Sequence, residues 1–194
     1  MTIAAQLIKE ASIGDLSCVR NYHHKVSDIH AEDDSSLRLS AENGHLEVIR
    51  CLVEHGADIH MDEDRALRLS AQEGHLDVVR YLVEQGSDIH AEDDYPLRWS
   101  AALGHLEVVC YLVEQGADIH AEEDYALRWS AGNGKLDVVL YLLELGADIE
   151  IGIAAAYEHP NVLAWLEGYQ QSVKEKKQLL NSMNKASHSV KNRI

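Results

Sequence analysis

Apolar residues recur along the chain in two alternating short patterns. In "HLEVVCYLVEQ", His105 to Gln115, Leu106, Val109 and Leu112 or Val113 fall at helical spacing on one face. Ahead of it stands a shorter segment, Leu97 to Leu103, with Asp94 or Tyr95 as its N-cap. Aspartate is the better cap, and Pro96 is tolerated in a first helical turn. The pattern predicts two short helices, and the pair then repeats. Asp28, Asp58, Asp88, Asp118 and Asp148 are each 30 residues apart, as are Leu37, Leu67, Leu97 and Leu127. Glycine keeps the same period at Gly44, Gly74, Gly104 and Gly134, and again at Gly56, Gly86, Gly116 and Gly146. Glycine at fixed phase marks a backbone position that wants positive φ, usually a helix C-cap. One such pair cannot bury its apolar face alone. Stacked neighbours bury a continuous core, so the predicted fold class is all-α, a helical solenoid.

These residues resemble a known family. "LRLSAENGHLEVIRCLVEHGADI", Leu37 to Ile59, is similar to the ankyrin repeat, with its T-P-L-H opening, its G-H-L-E-V-V turn and its closing G-A-D. The resemblance holds in register over residues 1 to 169. The family's usual period is about 33 residues, so some three residues are missing before the first helix of each unit, and shortened fingers are expected. T-P-L-H itself becomes Ser35-Ser36-Leu37-Arg38, Arg65-Ala66-Leu67-Arg68, Tyr95-Pro96-Leu97-Arg98 and Tyr125-Ala126-Leu127-Arg128. The 30-residue variant also resembles the ankyrin arrays of giant DNA viruses of amoebae, which bears on origin and not on mechanism.

The organisation expected is an N-terminal capping repeat at 1–27, four 30-residue repeats over 28–147, a C-terminal capping repeat at 148–169, and a basic tail at 170–194 that is either a helical extension or disordered. In the last cap Val162, Trp165 and Leu166 align with Val138, Tyr141 and Leu142 after a loss of six residues. Terminal repeats are atypical in this way.

Charge narrows the partners. The net charge is −16, yet Gln171 to Ile194 carry +5, leaving −21 on the rest. So acidic a body argues against nucleic acid, whose phosphates need Lys and Arg. Three cysteines without CxxC spacing suit reduced thiols, hence a cytoplasmic setting, the host cytoplasm for a viral protein. No apolar run approaches a membrane span or a signal peptide.

Acids cluster at the finger tips: Glu32-Asp33-Asp34, Asp62-Glu63-Asp64, Glu92-Asp93-Asp94 and Glu122-Glu123-Asp124. One reading is a solvated edge, partly paired with Arg38, Arg68, Arg98 and Arg128, each four residues further on. Another is electrostatic steering of a basic partner by Glu32, Asp33, Asp62, Glu63, Glu92, Asp93, Glu122 and Glu123. Calcium fits less well: there is no D-x-D-x-D-G loop, and neighbours in an extended segment point apart. Of twelve histidines, seven sit at fixed repeat positions, and stacked helices lie too far apart for copies to share a metal. His23-His24 lacks a third ligand. No metal and no cofactor are expected. No H-E-x-x-H, G-x-S-x-G or phosphate loop occurs, so no enzyme is expected.

The informative signal is where the units stop matching. In ankyrin arrays the residues before the G-H turn and in the fingers face the concave groove. Here the pre-turn pairs are Glu42-Asn43, Gln72-Glu73, Ala102-Leu103 and Gly132-Asn133. The threonine position holds Ser35, Arg65, Tyr95 and Tyr125, and two residues past the leucine stand Leu39, Leu69, Trp99 and Trp129. Units three and four thus gather Tyr95, Trp99, Ala102, Leu103, Tyr125, Trp129 and Asn133 as candidate partner-binding residues. Aromatic residues dominate binding hot spots; the alternative is that both tryptophans replace core leucines. The resemblance implies a non-catalytic protein-binding module, an adaptor or a competitor, whose partner is another protein, one with a basic patch suiting the acidic tips. The runner-up is self-assembly, the basic tail of one copy on the acidic fingers of another.

Overall fold

In the computed structural model, residues 3–15 and 34–191 are described, with side chains from Ala5 to Asp15 and from Asp34 to Met183. Cys18, His23, His24, His30, Glu32, Asp33 and much of the first cap lie outside the described residues.

The helices follow the sequence pattern. α1 (Ile3–Ser12) is followed by the pairs α2 (Ser35–Glu42) and α3 (Leu46–Glu54), α4 (Met61–Gln72) and α5 (Leu76–Glu84), α6 (Ala91–Leu103) and α7 (Leu106–Glu114), and α8 (Ala121–Gly132) and α9 (Leu136–Glu144). α10 (Ile149–Ala155), a 3-10 turn (Ala156–Glu158) and the long α11 (Pro160–Lys191) close the chain. There is no strand among the described residues. The fold is all-α: units stack as a helical solenoid, each touching its neighbours. First helices pack on one another more extensively than second helices do. The stack therefore opens on the side of the second helices, and the first helices line the concave side.

Two leucine columns run through the stack. Leu37, Leu67, Leu97 and Leu127 form one, and Leu52, Leu82, Leu112 and Leu142 the other, all buried. Fully burying one such side chain stabilises by about 1.5–3 kcal/mol. Val162 and Leu166 of α11 are buried in the same apolar cluster.

The turn between the two helices of a unit is made by glycine and the following residue together. Gly44, Gly74, Gly104 and Gly134 have positive φ, where an L side chain is strained. A Cβ on Gly44 would also meet the His75 ring at 2.6 Å, and one on Gly134 the His159 ring at 2.7 Å. The imidazole of each unit thus lies on the glycine of the unit before. His75 Nε2 donates to the Glu42 carbonyl (3.0 Å) and His45 Nε2 to that of Ser12 (3.1 Å). A carbonyl only accepts, so Nε2 carries the proton in this series. Lys135 stands in for histidine over Gly104.

The finger is where the backbone departs from expectation. Asp62-Glu63-Asp64, Glu92-Asp93-Asp94 and Glu122-Glu123-Asp124 are not extended; all nine residues have φ between 50° and 59°, a left-handed turn joined directly to the right-handed helix that follows. Left-handed backbone costs roughly 1–2 kcal/mol per residue with a Cβ. Two devices hold it. The guanidinium two residues after Pro96 reaches back: Arg98 donates from Nε to the Asp93 carbonyl (2.7 Å) and from Nη2 to that of Glu92 (2.6 Å). Arg68 does the same for Glu63 and Asp62, and Arg128 for Glu123 and Glu122. The arginines are therefore spent chiefly on carbonyls rather than on the acidic side chains.

The second device is the last acid of each tip. Asp64 and Asp94 are not solvated; each is 6% exposed. Asp94 Oδ1 accepts from His90 Nδ1 (3.0 Å) and from the Asp118 amide (3.0 Å), which ties one finger to the next unit. Asp64 and Asp124 accept from His60 and His120 in the same way.

Gly44 and Gly56 separate the two reasons for glycine. Both have positive φ, but nothing lies within 4 Å of a Cβ on Gly56. Gly56→Ala should cost about 1–2 kcal/mol from backbone strain alone, and Gly44→Ala measurably more. His75→Ala should remove the excess, which a double-mutant cycle in urea would register as coupling. Equal losses at the two glycines would contradict the packing account.

Candidate binding face

Tyr95, Trp99 and Leu103 occupy i, i+4 and i+8 of α6, and Tyr125, Trp129 and Asn133 the same phase at α8. Residues four apart share a helix face, and first helices stack, so the six positions form one surface on the concave side. The rings make a continuous ladder. Centroids are 5.6 Å apart for Tyr95 and Trp99, 6.1 Å for Trp99 and Tyr125, and 5.5 Å for Tyr125 and Trp129. Pairs at such distances gain about 0.5–1.5 kcal/mol beyond area burial.

Both tryptophans stand outside the buried core: Trp99 is half-buried and Trp129 is 46% exposed. Leu103 is 40% exposed, and Asn133 is exposed with Nδ2 donating to the Ala102 carbonyl at 2.9 Å. Ala102 is the exception among the candidates. It is 2% exposed and so buried, although Glu42 at the same position of its unit is exposed and Gln72 and Gly132 are half-buried. Its side chain is not offered to a partner.

Sequence reading alone misses the residues that brace the ladder. Arg98 lies 5.0 Å from the Tyr125 centroid and 6.0 Å from that of Tyr95, and Arg68 lies 5.3 Å from Tyr95. Each guanidinium grips its own finger's carbonyls with its edge and covers a ring with its face. The Tyr95 hydroxyl donates to Gln72 Oε1 at 2.8 Å, and burial pushes that phenol up from its ordinary range. The signal was present in the sequence: Arg68 and Arg98 each precede a tyrosine by 27 residues, whereas Arg38 precedes Arg65.

Beside the rings runs the acidic edge. Asp62, Glu63, Glu92, Asp93, Glu122 and Glu123 are all exposed. Arg65, 2.6 Å from Asp62, holds that carboxyl below the usual range. Glu92, within hydrogen-bonding reach, pushes the Glu63 carboxyl up. Neighbouring tips thus feel one another as like charges, the condition under which an opposite charge is attracted. Among the described residues no group of three His, Cys, Asp or Glu could hold a metal ion.

Stacked two-helix units of near-identical sequence define a helical repeat protein. The chain belongs to the ankyrin repeat family: the family model of ankyrin repeats (3 copies) matches residues 3–93 and 91–153. Ankyrin repeats are generally protein–protein interaction modules and typically not enzymes. No curated protein matches the chain. No described helix is long and apolar enough to cross a membrane.

The double role of Arg98 is testable. Arg98→Lys keeps the charge but loses the fork, so the third finger should loosen, at a cost of about 1–2 kcal/mol. Amide exchange over 91–95 should quicken while that over 61–65 stays put. Unchanged protection in the third finger would show that the left-handed turn does not depend on the guanidinium.

Proposed function

We propose that the chain is a non-catalytic binding module, an adaptor or a competitor, that seats a partner protein on the concave face of units three and four. Tyr95, Trp99, Leu103, Tyr125, Trp129 and Asn133 supply the contact. The observation that carries this is the unbroken ring ladder with Leu103 and Trp129 exposed beside it, at the place where a strict repeat changes from polar to apolar. Partly exposed, braced rings offer large apolar area at little entropic cost on binding. The six described tip acids, with Glu32 and Asp33 from the first tip, steer a partner that carries a basic patch and act mainly on its rate of arrival. A reducing compartment such as the cytoplasm suits the thiol of Cys110, which burial pushes up and makes a poor nucleophile.

Affinity capture from the source cell, with purified variants compared side by side, tests the reading. Leu103→Ala with Trp129→Ala removes half-exposed groups, so the protein should stay folded with the melt lowered by only a few degrees, while affinity falls about thirtyfold or more. Glu42→Ala with Glu73→Ala, in the polar half of the same face, should leave capture intact. Glu92→Gln with Asp93→Asn should slow association at low salt and leave dissociation alone. Loss of capture in the polar-half variant, with retention in the Leu103–Trp129 variant, would move the site to units one and two.

A further inference from the structure

The last helix carries an apolar stripe that the chain leaves uncovered. α11 joins the body through Val162 and Leu166, and a small cleft between it and α10 is lined by Leu143, Ile149, Tyr169 and Val173. Gln170 Nε2 donates to Glu150 across that joint (2.5 Å). Beyond it, Leu179, Leu180 and Met183 are 63%, 58% and 60% exposed. Tyr169, Val173, Lys176, Leu180 and Met183 recur at four- and three-residue steps and so share one face, apolar but for Lys176, with Lys177 at its edge. The helix runs unbroken from Pro160 to Lys191, about 48 Å at 1.5 Å per residue. It contains neither glycine nor proline after Gly168, so the overhang cannot turn back onto its own fingers while it stays helical.

We propose that this overhang docks on the aromatic face of units three and four of a second copy of the chain. The inference rests on the reading of that face as a binding site and names an occupant for it. Three features match. The tail segment carries +5 and the remainder −21, so the two surfaces attract. The stripe offers leucine and methionine to rings: Leu180 and Met183 suit the exposed edge of Trp129 and Leu103, and a thioether is favoured against aromatic faces. Lys176, awkward in an apolar stripe, finds ring faces for a cation–π contact with the Glu92, Asp93, Glu122 and Glu123 tips nearby. That lysine also decides against the simplest alternative, tail pairing with tail. Two parallel overhangs would set Lys176 into the seam of a like-charged helix, where a lysine costs stability. The contact is tail to groove, a heterologous one: two copies can exchange tails reciprocally, and otherwise the contact propagates.

Sedimentation velocity of the full chain over a wide concentration range, at low and high salt, reads this directly. The wild type should self-associate, less at high salt because exposed charges are screened within about 8–10 Å at physiological strength. Leu180→Asp with Met183→Asp should weaken association about thirtyfold or more, as should Tyr125→Ala with Trp129→Ala. Each variant's helicity and melt confirm that it is folded. Mixed in equal amounts, the two variants should form a one-to-one complex, since one keeps its groove and the other its tail. A wild type that stays monomeric throughout overturns the proposal, as does a groove variant that assembles like wild type, or a mixture that stays monomeric. A monomeric wild type whose partner capture still depends on Leu103 and Trp129 removes this inference and leaves the protein-binding reading standing.

Discussion

Everything in this molecule depends on the interface between one unit and the next. No unit has a core of its own. Its helices have 8 to 13 residues, at or below the ~12–15 at which an isolated helix is even marginal in water. Stability comes when the buried leucines of successive units, Leu67 and Leu97 among them, join one apolar cluster. The polar devices serve the same interface. The turn imidazole lies on the preceding unit's glycine. Asp94 accepts from the amide of Asp118, and Arg98 covers Tyr125 of the next unit. Because each tile must fit two neighbours, changes at these positions are constrained twice, and the sequence repeats every thirty residues.

Where that constraint relaxes, the chain varies. The clearest case is the i, i+4, i+8 stripe of the first helices: Ser35, Leu39 and Asn43, then Arg65, Leu69 and Glu73, then Tyr95, Trp99 and Leu103, then Tyr125, Trp129 and Asn133. The stripe faces the concave side and lies outside the leucine columns, so it is less tightly constrained than they are, although Tyr95 and Tyr125 still touch neighbouring units. It can become aromatic in two units without touching the leucine columns, and the ring ladder is the result. The leucine core and the variable aromatic face thus sit on opposite sides of the same short helices, one fixed by stacking and the other freer to vary.

The helices, their order and the stacking were legible in the sequence, because a 30-residue period of leucine and glycine has few other physical solutions. The make-up of the aromatic concave face was legible in part. Tyr95, Trp99, Leu103, Tyr125 and Trp129 stand where the broken repeat puts them. Ala102 does not: it is buried while Glu42, at the same helical phase, is exposed, so the difference comes from local packing that the repeat pattern does not encode. The fingers were the least legible. Three acids in a row look like one solvated cluster, yet the backbone winds left-handed and drives the third one inside. The sequence does carry a trace of this. The third acid is always aspartate, at Asp34, Asp64, Asp94 and Asp124, while the two before it exchange freely between Asp and Glu. A position that accepts only the shorter acid is one with a fixed partner, which for Asp64, Asp94 and Asp124 is the histidine four residues earlier. The arginines' grip on carbonyls had no such trace, since it depends on backbone geometry that composition does not encode.

The central claim is that stability passes only between neighbours, and Leu97→Ala tests it most directly. Leu97 is fully buried, and its truncation should cost about 2–5 kcal/mol. Hydrogen exchange by mass spectrometry should then show units three and four losing protection first and furthest, with α2 and α3 close to wild type under the same conditions. Uniform loss of protection from α2 to α10 would mean that the stack behaves as one cooperative core, and would contradict the account.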